Sequence, residues 1–378
     1  VRVLTGRAAV ATALTSAGGL LTATTAPVCA RPEWLLSWLE VYRTVEPVAV
    51  LAGPPDDPHG LACLAVWRSG PVRTVTLLGD GASDYGRLPA RDEPAAARLA
   101  DGIAEILAGI RRPWRLRLAQ LPVGDPVAGK LRAMLPGARL VPGQGCPRLL
   151  IGADRRIERL LSSQVRHAAR QGRNRLAKQG LSPDLELVVD PTQIRALLPE
   201  VVALHRDRDH SLGRRSDLDD PDRLAFYTTV AARLADARLL EVLTLRLEGV
   251  LAAYLVGIPD TTAYRLWDGR ISMQWPKARL GRLLDTAMVA TVLSRPQVSE
   301  LDWMRGELPH KLAMSTDVLP TEHLLAESSA PVRGLDWAAA ELRRGARSAL
   351  PDGLRRRLRG LPGRGTGGSG PDVRPAAG

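Results

Sequence analysis

The chain has 378 residues, 45% of them hydrophobic, and a formal charge of +12. That apolar share excludes a wholly disordered chain and suits two domains, or one large domain with a tail. The charge invites a nucleic-acid partner, but it is local: residues 154–180 carry net +6 and residues 333–378 another +6, so the rest of the chain is balanced.

At the N-terminus, Arg2, Arg7, an Ala/Leu/Thr-rich stretch and the "VCA" before Arg31 loosely mimic an export signal, but Thr, Ser and Gly interrupt the apolar run. Strands are expected over 48–53, 61–70 and 72–81, then a loop with "SDYGRLP", a helix over 94–110 and a strand over 114–122. Residues 154–180 read as one amphipathic helix, with Ile157, Leu161, Val165, Ala168, Gly172 and Leu176 on its apolar stripe. Asp154 is expected to cap its start and Gly180 its end. Arg166, Arg170 and Arg173 step along another face. A second helix, 198–215, carries His205 and His210.

The second half repeats the order of the first. "LLEVLTLRLEG" alternates, Glu248-Gly249 signals a turn, and "VLAAYLVG" and "TTAYRLWDG" follow as strands around a turn at Pro259-Asp260. A helix over 280–295 ends before Pro296, and a strand beginning near Leu301 is expected to lie parallel to the last strand of the meander. From Pro331 the composition shifts. Residues 337–349 suit a short Arg-rich helix, and the Gly/Pro/Arg-rich stretch from Pro351 suits disorder. Arg355, Arg356, Arg357 and Arg359 there suit a weak electrostatic tether to a membrane surface. No run approaches a membrane span. Cys29, Cys63 and Cys146 form no metal or disulfide pattern, so free thiols in a reducing cytoplasm are expected, with no metal.

The stretch "LDWMRGELPHK" (301–311) begins as a buried strand and ends with Arg305, Glu307, His310 and Lys311 crowded at its exit. So many ionisable groups at a strand exit suggest chemistry as well as packing.

An antiparallel meander, a helix with a glycine at its start and a parallel strand are the order of the GNAT acyltransferase fold. Within it, the chain resembles the BioF2-like (CelD-like) acetyltransferases, which are similar to Fem-type aminoacyltransferases and carry two GNAT units in tandem. The resemblance rests on "RPEWLLSWL" (31–39), "LLGDGASDY" (77–85), the Arg-rich helix, Leu204-His205, "FYTTVAARLA" (226–235) and the 301–311 stretch. In the last, Asp302, Arg305, Gly306, Pro309 and Lys311 match the pattern D-F-L-R-G-D-E-P-Y-K; Glu307 keeps an acid, Leu308 replaces one, and His310 replaces an aromatic. It implies an α/β (α+β) fold of two GNAT-like units, each a mainly antiparallel sheet flanked by helices. The expected divisions are 1–150, an Arg-rich joining helix over 151–180, a second unit over 181–325 and a tail over 326–378.

The resemblance implies transfer of an acyl group from acetyl-CoA or another acyl-CoA to an amine or hydroxyl of a small, sugar-like or cell-envelope acceptor. Aminoacyl-tRNA is the alternative donor, and a non-catalytic binding module the third reading. Asp302 is a base or substrate-orienting acid, or else pairs with Arg305 or caps the loop. Lys311 holds a phosphate or oxyanion, or is a solvated charge; Arg305 and Glu307 join them at the cleft mouth. Arg279, Gly281 and Arg282 hold the CoA pyrophosphate at a helix start, although "KARLGRLL" has one glycine where ordinary GNAT enzymes have Q/R-x-x-G-x-G/A. Asp84, Tyr85, Arg166, Arg170, His205 and Tyr264 are candidate acceptor contacts. The bland alternatives are a capped turn with a packed Tyr for Asp84 and Tyr85, a solvated face for the arginines, and a structural histidine for His205.

Overall fold

The computed structural model describes residues 1–69, 71–111 and 113–329. The tail readings, a helix over 337–349 and disorder from Pro351, lie outside the described residues. The described residues divide into two compact units, residues 1–144 with 320–329, and Gly145–Leu319.

The first unit opens with β1 (Arg2–Thr5), α1 (Arg7–Ser16), α2 (Gly18–Ala23) and α3 (Pro32–Val41). The stretch that mimics an export signal is built into this unit: β1 pairs with the next strand, and Val10, Leu14, Leu20 and Leu21 are buried. Then come β2 (Glu46–Ala52), β3 (Gly60–Ser69), β4 (Val72–Leu77), α4 (Glu93–Gly109), β5 (Trp114–Pro122), α5 (Pro126–Met134) and β6 (Arg139–Pro142). The apolar alternation of the strands meets α4 and α5 in one core containing Val50, Leu64, Val75, Leu99, Ile103, Leu116 and Leu131.

The second unit runs β7 (Cys146–Leu150), α6 (Ile157–Leu160), α7 (Ser163–Lys178), β8 (Asp184–Val188), α8 (Pro191–Ser211), α9 (Pro221–Asp236), β9 (Glu241–Leu247), β10 (Val250–Asp260), β11 (Ala263–Ile271), α10 (Leu280–Leu293), β12 (Glu300–Asp302), α11 (Pro309–Leu312) and β13 (Asp317–Leu319). A last strand, β14 (Thr321–Glu327), returns to the first unit between β5 and β6. The sheets are ordered β1-β2-β3-β4-β5-β14-β6 and β13-β7-β12-β11-β10-β9-β8. Within each, three antiparallel pairings are followed by a parallel one across a helix: β4 with β5 over α4, and β11 with β12 over α10.

Three expectations change locally. The helix expected over 154–180 breaks at Leu161. Ser162 caps α7 by accepting from Val165 N–H at 3.3 Å, while Asp154 instead pairs with Arg156. Helix α7 belongs to the second unit and packs on α10, burying Val165, Ala169 and Leu176 in that unit's core. The turn expected at Pro259-Asp260 falls two residues later: both pair with β11, and Thr261 takes the left-handed conformation (φ 56°). Pro259 lies beyond Gly257, the last residue paired with β9, so its missing N–H breaks no ladder bond there.

Candidate functional site

Strand β11 pairs with β12 only from Ala263 to Arg265, opposite Glu300 to Asp302. From Leu266 to Ile271 it continues without that neighbour, so the two strands part. Helix α10 begins just after β11. Arg279 turns the chain through the left-handed region (φ 53°), no side chain caps the first turn, and no acid lies in it. A β-carbon added at Gly281 would meet only Ile271 Cγ2, at 3.8 Å, so the start of the helix is open on that side. Arg279 is exposed, and Arg282 reaches the His310 carbonyl at 3.4 Å and Asp285 at 3.6 Å. Amides at an uncapped helix start beside two guanidiniums form a cradle of the kind that holds phosphate oxygens.

Helix α7 buttresses this cradle. At Gly172 a β-carbon would stand 2.6 Å from the Ala278 carbonyl, and Arg175 donates to the Lys277 carbonyl at 2.8 Å. Arg166 is half-buried and donates to the Leu161 carbonyl at 3.3 Å, so it turns back on its own helix start. Arg170 and Arg173 are exposed.

Asp285 lies one turn into α10, and sequence reasoning passed over it. It is 8% exposed, and burial pushes its carboxyl up to about 7, with Arg282 pulling the other way. A carboxyl poised there can exchange a proton near neutrality.

The 301–311 stretch is held by itself. Asp302 is buried; Arg265 donates to its Oδ2, and Met304 N–H to its Oδ1 at 2.8 Å. Arg265 also binds Asp260 at 2.8 Å. Asp302 is therefore a loop-capping partner of Arg265, and both oxygens are engaged, which argues against its role as base. Lys311 Nζ donates to the Arg305 carbonyl at 2.8 Å and lies 3.5 Å from that of Met304, so its ammonium ties down the loop. This tie explains how Met304 (φ 59°) and Gly306 (φ 103°), on either side of Arg305, hold left-handed conformations. Arg305 is half-buried. Glu307 is exposed, with its carboxylate close over Gly145, where a β-carbon would stand 2.6 Å from Oε1.

Tyr264 is fully buried and donates to Glu241 at 2.9 Å; Arg295 pairs with the same carboxylate and covers the ring at 5.2 Å. It is a core residue and not an acceptor contact. Asp84 and Tyr85 lie in the first unit, in the loop after β4. Tyr85 is buried, and its carbonyl accepts from the Cys29 thiol at 3.3 Å.

The β10–β11 ladder slips at Val256/Gly257. Val256 faces Asp268, Gly257 faces Leu266, and Trp267 is the extra residue. Leu266 joins the core under α10, whereas Asp268 meets α8 and α9 on the other face. There Asp268 Oδ2 accepts from Tyr254 at 2.7 Å, Tyr227 at 3.1 Å and His205 Nδ1 at 3.1 Å, and Oδ1 accepts from Arg270 at 2.7 Å. Arg270 also lies 2.7 Å from His205 Nε2. A guanidinium only donates, so Nε2 accepts and the His205 proton sits on Nδ1. Burial works against charge on Asp268, but Arg270, then His205 and Tyr254, outweigh it and hold the carboxyl below the usual range. The same burial, with Asp268 beside them, lifts both tyrosines well above theirs. Trp267, half-exposed, stacks on Tyr227 with ring centroids 4.8 Å apart. Only His205 of this network was singled out in the sequence; the Leu-His and Phe-Tyr motifs around it meet here. Among the described residues, no group of His, Cys, Asp and Glu is arranged to hold a metal ion, and no helix is long and apolar enough to cross a membrane.

Residues 163–312, most of this unit, match the family described as acetyltransferase (GNAT) domain. No curated protein matches the sequence. Among solved structures, FemX is similar with a TM-score of 0.61 at 9% identity, over 83% of this chain and 96% of that one. A conserved protein of unknown function from Bacteroides thetaiotaomicron is similar at 0.56 and 12%, over 83% and 97% of the two chains. The C-terminal domain of a putative lysylphosphatidylglycerol synthetase from Agrobacterium fabrum gives 0.55 and 10%, over 87% and 96%. At such identities these likenesses speak for the fold alone, and they extend it over both units. Residues 163–312 thus match an acetyltransferase (GNAT) domain, and the chain as a whole has the two-unit fold seen in FemX.

Proposed function

We propose that the second unit transfers an acyl group from an acyl-CoA to an amine or hydroxyl of a small, sugar-like or cell-envelope acceptor. The observation that carries this reading is the start of α10: uncapped, free of acids, flanked by Arg279 and Arg282, open at Gly281, and set where β11 leaves β12 inside the GNAT-matching segment. The α10 amides and the two arginines hold the donor pyrophosphate. Asp285 takes the proton that the acceptor loses as the new acyl bond forms, and the CoA thiolate leaves. The Trp267–Tyr227 stack offers a face for a ring-shaped acceptor.

Acetyl-CoA should raise the melting temperature saturably, and Arg282→Glu should weaken its binding by about tenfold or more. With a panel of amine and sugar acceptors, CoA thiol should be released, and Asp285→Asn should slow release and flatten its pH profile. No protection by acetyl-CoA, or protection unchanged in Arg282→Glu, would overturn the reading; protection without release under any acceptor would favour a binding module.

A second reading, an aminoacyl-tRNA donor, is favoured by α7. That helix contains no acid, and Arg170, Arg173 and Lys178 form no ion pair among the described residues. A salt-sensitive tRNA complex without CoA protection would select it.

A further inference from the structure

Three arginines gather at the rim of the Asp268 network. Arg270 is anchored by Asp268 and His205, yet its Nε is buried without a hydrogen-bond partner, 3.9 Å from Asp209. Arg214 is anchored on Asp209, donating through Nε at 3.0 Å. Arg208 has no acid of its own; its Nη1 contacts the Met273 sulfur at 2.6 Å. Burial first, then repulsion from Arg214 and Arg270, lowers the pKa of Arg208, with Asp209 only partly opposing. With His205 neutral, three guanidiniums share two buried carboxylates, Asp209 and Asp268. A chain that pairs Arg148, Arg246 and Arg295 with acids leaves this cluster one negative charge short. Arg214 and Arg270 are each 25% exposed and Arg208 is half-buried, so an anion from solvent can reach them.

We propose that Arg208, Arg214 and Arg270 form a subsite that binds one oxyanion, a carboxylate or a phosphate, carried by the acceptor. Planar guanidinium forks fit either group with paired hydrogen bonds, and the ligand supplies the missing charge. The proposal rests on the transfer reading only in calling the ligand an acceptor; binding at these arginines is measured without catalysis.

The test uses the full chain at constant ionic strength, titrated with inorganic phosphate and with succinate while thermal unfolding and heat of binding are followed. At least one probe should bind saturably to the wild type and bind about tenfold more weakly to Arg208→Gln. Which probe binds more tightly tells phosphate from carboxylate. Arg279→Asp, which alters the start of α10, should leave that binding unchanged. Without ligand, Arg208→Gln should melt at the wild-type temperature or slightly above it, because repulsion is relieved. Binding lost in Arg279→Asp and kept in Arg208→Gln would overturn the subsite and assign the anion to the donor cradle. Absence of binding by either probe, or a clear fall in the melting temperature of unliganded Arg208→Gln, would overturn it as well. Failure of acetyl-CoA to bind would leave the result intact and strike only the transfer reading.

Discussion

The two units share one strand order and differ where the chemistry would be. In the second, β11 and β12 part and α10 begins with Arg279, uncapped. In the first, α4 begins with Asp92, whose carboxylate accepts from Ala95 N–H at 2.7 Å, followed by Glu93 and Pro94. That helix start is already satisfied and carries negative charge, so it repels a phosphate. The gap beyond the β4–β5 pairing is also filled. Gly86 N–H donates to the Gln120 carbonyl at 2.8 Å, and a β-carbon at Gly86 would collide with the Ala119 carbonyl. Asp84 and Tyr85 sit in this plugging loop. A repeated frame thus carries an open, uncapped helix start in one copy and a sealed one in the other; the first turn of one helix decides which.

The largest test of the contrast is the buried network that the second unit has around β11. Asp268→Ala leaves Arg270 without its main partner and three donors without an acceptor. It should cost about 3–5 kcal/mol of stability, measured by denaturant unfolding at neutral pH. A cost below about 1 kcal/mol would show that water replaces Asp268 and that the network does not hold the α8/α9 face.

Next comes Asp285, which gives α10 of the second unit a buried acid. Its folded pKa, about 7, lies above the unfolded value near 3.8, so the folded state holds the proton more tightly. Stability should therefore fall as pH rises through that window, with the full cost present above about 7 and none below about 3.8. Asp285→Asn should stabilise the protein by about 2–4 kcal/mol at alkaline pH and scarcely at all in acid. Parallel stability profiles for the two proteins would remove Asp285 as the titrating group.

Much of the frame was legible because it is periodic. The β9–β10 turn followed from Glu248-Gly249, whose φ values of 52° and 79° are those a tight hairpin needs. The α10 stripe followed from Leu283, Leu284 and Met288, and the parallel strand from its place after that helix. The site was less legible. The strand through Asp268 is legible, but its facing is not: the slip at Trp267 turns Asp268 toward α8. Asp268 meets His205 across 63 residues, and no local pattern announces such a partner. Tyr264 and Lys311 were read as functional because sequence shows residue type and order, not which way a side chain turns. Asp285 looked like one acid on an amphipathic helix, and only its burial makes it special.

A smaller effect would convert one unit into the other. Arg279→Asp gives α10 the acid that Asp92 gives α4, at an exposed position whose left-handed backbone Asp tolerates. It should weaken CoA binding by about 2 kcal/mol, roughly 30-fold, while the melting temperature holds or rises as the helix gains a cap. Asp92→Ala should do the reverse in the first unit, costing about 1 kcal/mol of stability with no change in CoA affinity. Equal CoA affinity in wild type and Arg279→Asp would mean that the contrast between the helix starts has no bearing on the donor.

The smallest effect concerns Lys311, at the end of the stretch that crowds charge behind β12. As an oxyanion holder, its loss would act on turnover and spare the fold. Its actual contacts, the carbonyls of Arg305 and Met304, point to the loop instead. Lys311→Ala should cost about 1 kcal/mol, the worth of a hydrogen bond from a half-exposed charged donor. The loss should be local, because the left-handed residues Met304 and Gly306 lose the clamp that holds them. Hydrogen exchange should therefore quicken at Met304 and Gly306, whose N–H groups bond to Asp302 and to the Gly145 carbonyl, while β11 and α10 stay protected. Arg in its place should restore little, since a planar fork cannot reach two successive carbonyls as a compact ammonium does. Unchanged exchange at Met304 and Gly306, with turnover reduced by two orders of magnitude or more, roughly the loss of one preorganised charge contact, would return Lys311 to the chemistry.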